Sequence, residues 1–365
     1  MNVAFDGVEL LPADCPTPQH ERVVHEKLAV ILCALLGISP RAATPGGALH
    51  RPYYLPARTL VGNQAACLGI DSETRFFGGA VPAPFCATKA ISHPLIPGGN
   101  APAAWNPAFA ELAHGALLPG WTAFSKADAA RAGRDLLKQA SFRLKPVLAT
   151  AGRGQQVIAD AKTLDQALGA MDDTQLERWG LVLEENLTEV ETFSVGQVRI
   201  AGVVASYYGT QRLTQDNTGE QVYGGSDLTV YLGTYEALLE SDLPLDVRAA
   251  ITQAKVYEEA VERCYPGFIA SRRNYDIAAG ANHKGQRHIG VLEQSWRVGG
   301  ASSAELLAMQ AFQQNVRLSW VKASTFEVFG TAQAPEDAQV FFCGEDADIG
   351  LMTKYARIQA HGYRQ

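Results

Sequence analysis

Hydrophobic spacing divides the chain into recognisable elements. Residues 19–37, QHERVVHEKLAVILCALLG, carry apolar side chains at helical spacing and stop at Gly37, which predicts a buried helix. Residues 125–140, SKADAARAGRDLLKQA, read as a helix with Ser125 as N-cap and Asp128 at the third helical position. FRLKPVLA (142–149) reads as a strand, TAGRG as a tight loop and QQVIAD as its hairpin partner. KTLDQALGAMD is a helix, GLVLEENL (180–187) a strand, and residues 191–214 two or three β segments. A long helix is predicted over 244–267, closed by proline and glycine. FIASRRNYDIAAG and RHIGVLEQSWRV are two strands joined by ANHKGQ. A capped helix over 301–316, the strand AQVFFCG and a polar end follow. An apolar run with a Gly-Gly turn opens 74–96, and the Pro- and Gly-dense stretch 94–120 reads as a surface connector. No internal repeat stands out. The class is mixed α/β, or α+β, with hairpins concentrated mid-chain.

Length and charge narrow the functional classes. A chain of 365 residues exceeds one small core and predicts two or three packed units. With 47% hydrophobic and 19% charged residues it has the composition of a globular protein. A net charge of -7 argues against general binding to nucleic acid or anionic membranes, while leaving room for a local basic pocket. The longest apolar stretch, KLAVILCALLGI, is too short to span a bilayer. Cys15, Cys33, Cys67, Cys86, Cys264 and Cys343 are scattered without zinc-type spacing, which predicts reduced thiols and a cytoplasmic location. The N-terminus lacks the basic segment of a signal peptide, and NLT at 186 has no meaning as a sequon in that compartment.

Four stretches carry chemistry. Lys145 at a strand end faces the 149–154 loop, where Gly152 and Gly154 would let backbone N–H groups approach phosphate oxygens; the alternative is an ordinary hairpin with a solvent-facing lysine. Glu184 ends an apolar strand and Glu191 lies seven residues on. Such a strand exit offers backbone groups to an adenine edge and a carboxylate to ribose hydroxyls; the alternative is a solvated acidic turn. A turn centred on Lys284–Gly285 places Asp276 opposite Glu293, about 5 Å apart, where two carboxylates repel unless a cation joins them. Oxygen ligands of this kind suit Mg2+. In LEQSWRVGG, period two puts Glu293, Ser295 and Arg297 on one face, which fits metal and phosphate or else a solvent-facing edge.

In this order the stretches LKPVLATAGRG, VLEENLTEVE, YDIAAG and LEQSWR resemble the motifs of the ATP-grasp superfamily, over about Lys89 to Gly300. The resemblance implies an ATP-grasp fold with an N-terminal pre-ATP-grasp α/β domain (1–120), a small lobe acting as lid (121–188), a large lobe with the metal site (189–330) and a C-terminal strand and tail (331–365). It also implies roles. Lys145 and, at the entry to the central region, Lys89 would bind phosphates, under the 149–154 loop with Gly152 and Gly154. Glu184 and Leu187 would form the adenine edge, and Glu191 would hold the ribose. Asp276 and Glu293 would ligate Mg2+, and Arg297 would meet phosphoryl oxygens. The family's usual asparagine ligand is Ser295 here, which leaves a second metal open. The chain is also similar to a bacterial family labelled biotin-carboxylase-like, but no match to a bicarbonate and biotin site and no biotinylated segment is present.

The reaction so implied is ATP-dependent ligation. A carboxylate attacks the γ-phosphate, and an amine or thiol displaces phosphate from the acyl phosphate. The partners would be a small-molecule carboxylate and amine, with no nucleic acid and no membrane, and a homodimer is allowed. Arg199, Arg272 and Arg273 lie beside the site elements as candidates for the acid, or are surface arginines. An ATP-grasp kinase or carboxylase, and a non-catalytic nucleotide-binding protein, are the alternatives.

Overall fold

The computed structural model describes residues 5–13, 17–39, 49–148 and 154–363. In chain order the first part comprises β1 (Gly7–Leu11), α1 (Gln19–Leu36), β2 (Pro52–Pro56), β3 (Leu60–Val61), α2 (Gln64–Cys67) and β4 (Gly79–Val81). Next come α3 (Ala108–Leu112), β5 (Gly120–Ala123), α4 (Lys126–Leu137), β6 (Phe142–Pro146), β7 (Gln156–Ile158), α5 (Ala161–Gly169), α6 (Asp173–Trp179) and β8 (Leu181–Glu185). Then follow β9 (Thr188–Ile200), β10 (Val203–Gln215), β11 (Gln221–Leu232), α7 (Tyr235–Leu239), α8 (Leu245–Cys264), β12 (Ile269–Ala270), β13 (Arg272–Ala281) and β14 (Arg287–Ser295). The chain closes with α9 (Ser302–Gln314), β15 (Leu318–Phe329), β16 (Gln339–Asp346) and β17 (Gly350–Tyr363).

Local chemistry explains the boundaries. α1 ends because Gly37 takes the left-handed conformation, φ 68°, which costs glycine nothing. Ser125 caps α4 as predicted: its hydroxyl accepts from the Asp128 N–H at 3.1 Å. The Asp128 carboxylate departs from a capping box, because it accepts from the Asn100 N–H at 2.9 Å and so ties the preceding segment to the helix. α9 has no side-chain cap; the Ser302 hydroxyl accepts from Gly299 N–H instead, at 3.1 Å.

Two antiparallel sheets dominate. A four-stranded sheet has the order β5-β8-β6-β7, and the predicted hairpin pairs Phe142 with Ile158. An eight-stranded sheet has the order β14-β13-β9-β10-β11-β15-β17-β16. One of its faces packs on α8 through Phe193, Val195, Tyr275, Ile277, Tyr257 and Val261. The other packs on α1 and α9 through Val198, Tyr207, Leu228, Val230, Met309 and Phe312.

Several expectations need correction. The stretch 94–120 is no simple surface connector: it forms α3 and buries Phe109, Ala113, Ala116 and Leu118. Residues 191–214 lie in two long strands, within the two or three segments expected. The strands β11, β15 and β17 were not predicted; β17 fills the supposed polar end and buries Met352, Thr353 and Ala356.

Candidate functional site

The turn 89–91 packs against β5, β8 and β14, so Lys89 stands where the two sheets meet. On the small sheet, Lys145 and Glu184 share one face of adjacent strands, and the buried lysine pairs with the buried carboxylate. His93 Nε2 lies 3.0 Å from the other Glu184 oxygen. Burial pushes the Glu184 carboxyl up, but Lys145 and His93 outweigh it and hold it below its ordinary range. Thus Lys145 is neither solvent-facing nor alone. Beyond Glu184 the chain crosses to β9; the Glu185 N–H donates to the Pro119 carbonyl at 2.8 Å. Leu187 joins Leu118, Ala278 and Leu292 in a small apolar cluster. Glu191 is exposed on β9 opposite Ala279. Gly154 has φ +71°, while Gly152 and the rest of 149–153 lie outside the described residues.

On the large sheet Asp276 is paired with Glu293, as predicted, but the route differs. The turn closes from the Asn282 N–H to the Gln286 carbonyl, and a register shift between Asp276 and Ile277 then brings the two carboxylates opposite each other. Lys89 Nζ lies 2.8 Å from Glu293 Oε2, and Gln211 Nε2 donates to Asp276 Oδ1 at 2.8 Å. Burial, then the Glu293 charge, raises the Asp276 carboxyl to about 6, against the pull of Gln211, Arg272 and Lys89. Positive charge at this pair is therefore incomplete. Among the described residues no group of three or more His, Cys, Asp and Glu gathers as a metal site. Two carboxylates suit Mg2+, which takes its remaining oxygens from water and substrate phosphate. Ser295 Oγ accepts from Arg272 Nη1 at 3.4 Å, so that oxygen already faces a cation.

The arginines separate. Arg272 is buried under α9, where its Nη2 lies 2.8 Å from Glu305, and Tyr207 donates to the same carboxylate at 2.6 Å. Arg273 points to the opposite face, toward Glu258 at 3.1 Å. Arg199 is paired with Glu73 at 3.0 Å. All three guanidinium groups already have carboxylate partners. Arg297 differs: its Nη1 donates to the Val298 carbonyl at 2.9 Å. Burial and the nearby Arg58 charge lower it, while Glu293 and Glu21 act in the other direction.

Sequence reasoning missed His93, Gln211, Arg58 and His288. His288 has Nδ1 2.6 Å from Glu185 Oε2. None carries a local signal, because each is brought in by a different element; only the position of His288 just after the hairpin turn hinted at a neighbour.

The comparisons agree with this architecture. A family profile described as protein of unknown function (DUF3182) matches residues 9–356. No curated protein matches the chain. Among solved structures it is similar to N5-carboxyaminoimidazole synthetase from Staphylococcus aureus, with 11% identity over 98% of this chain and 95% of that one, at a TM-score of 0.52. It is also similar to phosphoribosylamine–glycine ligase from Thermotoga maritima, with 12% identity over 97% and 92% and a TM-score of 0.46. An ADP complex of N5-carboxyaminoimidazole ribonucleotide synthetase matches at 14% identity over 68% of this chain, which spans 64% of that one, with a TM-score of 0.41. At such identities the likeness concerns the fold. The chain belongs to the DUF3182 family, and its fold is that of the ATP-grasp superfamily.

Proposed function

We propose that the protein is an ATP-dependent ligase that joins a carboxylate to an amine, or a thiol, and releases ADP and phosphate. The observation that carries this reading is the Asp276–Glu293 pair, set opposite each other beside Lys89 at the junction of the two sheets. In this reading residues 121–188 act as the lid and 189–330 carry the metal site. Lys89 and Lys145 bind phosphates, with Gly154 at the end of the covering loop. The region around Glu184 and Leu187 forms the adenine edge and Glu191 holds the ribose. Asp276 and Glu293 would hold Mg2+, which supplies charge neutralisation of the phosphoryl oxygens when bound. Arg297 stabilises the transferring group from the same strand face. The protein's part is positioning and electrostatics, since this chemistry needs no protein nucleophile.

The test is a screen of acids and amines with Mg-ATP. Acceptor-dependent ADP and free phosphate should appear in equal amounts, be lost in Glu293→Gln, and persist with hydroxylamine as amine, yielding a hydroxamate. A stable phosphorylated product without free phosphate would mean a kinase. ATP binding without any ADP formation would favour the non-catalytic reading, which the engagement of Ser295 by Arg272 supports.

A further inference from the structure

Cations of the chain itself occupy part of the candidate metal site. Glu293 and Ser295 lie two residues apart on one face of β14, opposite Asp276 and Asn274 of β13. Each carboxylate has one oxygen engaged. Gln211 Nε2 donates to Asp276 Oδ1 at 2.8 Å, and the buried Lys89 Nζ lies 2.8 Å from Glu293 Oε2. Among the described residues, Asp276 Oδ2 and Glu293 Oε1 have no hydrogen-bond or ion-pair partner. One free oxygen from each carboxylate is what a single Mg2+ takes from protein when water and substrate phosphate supply the rest.

At Ser295 the oxygens face a guanidinium instead. Arg272 Nη1 lies 3.1 Å from the Ser295 carbonyl oxygen and 3.4 Å from its Oγ, and it donates to the Arg297 carbonyl as well. The other donors of Arg272 are clamped. Nε lies 2.9 Å and Nη2 2.8 Å from the Glu305 carboxylate, which also accepts from Tyr207 at 2.6 Å. Arg272 is 1% exposed and Glu305 0%, so the arginine cannot swing aside without leaving the Glu305 charge uncompensated in the interior. Asn274, opposite Ser295, directs its amide nitrogen to Ser194 Oγ at 2.7 Å and to Tyr207 at 3.2 Å. Arg297 comes in from the neighbouring turn: a Cβ on Gly299 would lie 3.9 Å from Arg272 Nη1 and Nη2 and 4.0 Å from Arg297 Nη1.

In two-metal sites for phosphoryl transfer the ions stand about 3.5–4 Å apart. A second ion here would have to sit about 2 Å from Ser295 Oγ, beside the fixed Arg272 guanidinium. It would also have to share Glu293, whose second oxygen already holds Lys89. We infer that the Asp276–Glu293 site takes one divalent cation, and that Arg272, held by Glu305, is the positioning residue whose guanidinium fills the place of a second. The inference deepens the ligase reading and rests on it for the presence of a metal-bound nucleotide. It requires no turnover to be measured.

The experiment counts Mn2+ on the full chain. Mn2+ is titrated into the protein with a non-hydrolysable ATP analogue, at a concentration where the analogue is fully bound, and free Mn2+ is read from its paramagnetic resonance signal. The parent should bind one Mn2+ tightly per nucleotide complex, with the spectrum of an isolated ion. Ser295→Asn offers an amide oxygen and should still bind one, because Arg272 holds the place. Combining Ser295→Asn with Arg272→Gln and Glu305→Gln removes both charges of the buried pair together, and should admit a second Mn2+ with the spectrum of a spin-coupled pair. Two tight Mn2+ in the parent would overturn the inference and leave the ligase reading standing. Two in Ser295→Asn alone would overturn the role of Arg272, because the serine would then have set the count. A single Mn2+ in the folded triple variant, with folding checked by circular dichroism, would overturn it too. Should that variant not fold, the counts on the parent and on Ser295→Asn decide. No tight Mn2+ on the parent with the analogue bound would instead remove the metal site itself, and with it both the ligase reading and this inference.

Discussion

Lys145 and Asp276 are two ionisable groups withdrawn from water, one matched and one not. Lys145 has the Glu184 carboxylate. If it binds phosphate, Lys145→Met should weaken Mg-ATP affinity at least tenfold, because a charge-assisted contact contributes roughly 1.5–3 kcal/mol. Calorimetry on folded variant showing unchanged affinity would remove it from the site. Asp276 lacks a full positive partner, and its carboxyl is raised to about 6. A raised carboxyl contributes stability below its unfolded value and loses it as pH climbs through the folded one. Relative to Asp276→Asn, the metal-free parent should therefore lose stability between about pH 4 and pH 6 and stay lower above that, by on the order of 1–3 °C in melting temperature. Equal melting differences at acid and neutral pH would contradict this. Mg-ATP binding should likewise weaken on acidification through about pH 6, because a proton must leave the ligand oxygen.

At the scale of elements, β9 is the strand on which both halves of the site depend. Gly196 stands between Tyr207 of β10 and Asn274 of β13, and the Asn274 amide donates across it to the Tyr207 oxygen at 3.2 Å. A Cβ there would collide with the Tyr207 hydroxyl and the Arg273 carbonyl. Gly196→Ala should destabilise by about 1–3 kcal/mol through overpacking, read as a shifted denaturant midpoint. An unchanged midpoint would show that the network can open at no cost. The start of β9 carries Glu191. If its carboxylate accepts both ribose hydroxyls, Glu191→Ala should erase any preference for ATP over 2′-deoxy-ATP, and persistence of that preference would place the ribose elsewhere. The β13–β14 hairpin shows how far element reasoning reaches. The facing carboxylates were legible from spacing, yet the pairing arises from an off-centre turn offset by a bulge, which spacing alone does not encode.

For the whole molecule, the last two strands matter more than their polar sequence suggests. β17 pairs with both β15 and β16 and buries Met352 and Ala356, while β16 buries Phe341 and Phe342. A chain ending at residue 330 would leave β15 as an exposed edge above an uncovered apolar face. Such a chain should aggregate on expression, as light scattering would show; a soluble monomer of 1–330 would mean that the sheet is stable without them. The same strands bring Glu327 and Lys354 to the sheet face that carries Glu293.

Sequence alone determined what depends on near neighbours. Helix limits at Ser125 and Gly37, the 142–158 hairpin and the order of the chemistry-bearing stretches all follow from spacing and local hydrogen bonding. Tertiary structure decided which charges are free. Arg199, Arg272 and Arg273 look alike along the chain, but Glu73, Glu305 and Glu258 come from distant elements to neutralise them. Among the described residues Arg58 meets no such partner, and His93 and Gln211 reach their carboxylates only because the sheets close. Charge compensation depends on distance in space, and that distance is set by packing between segments far apart in the chain.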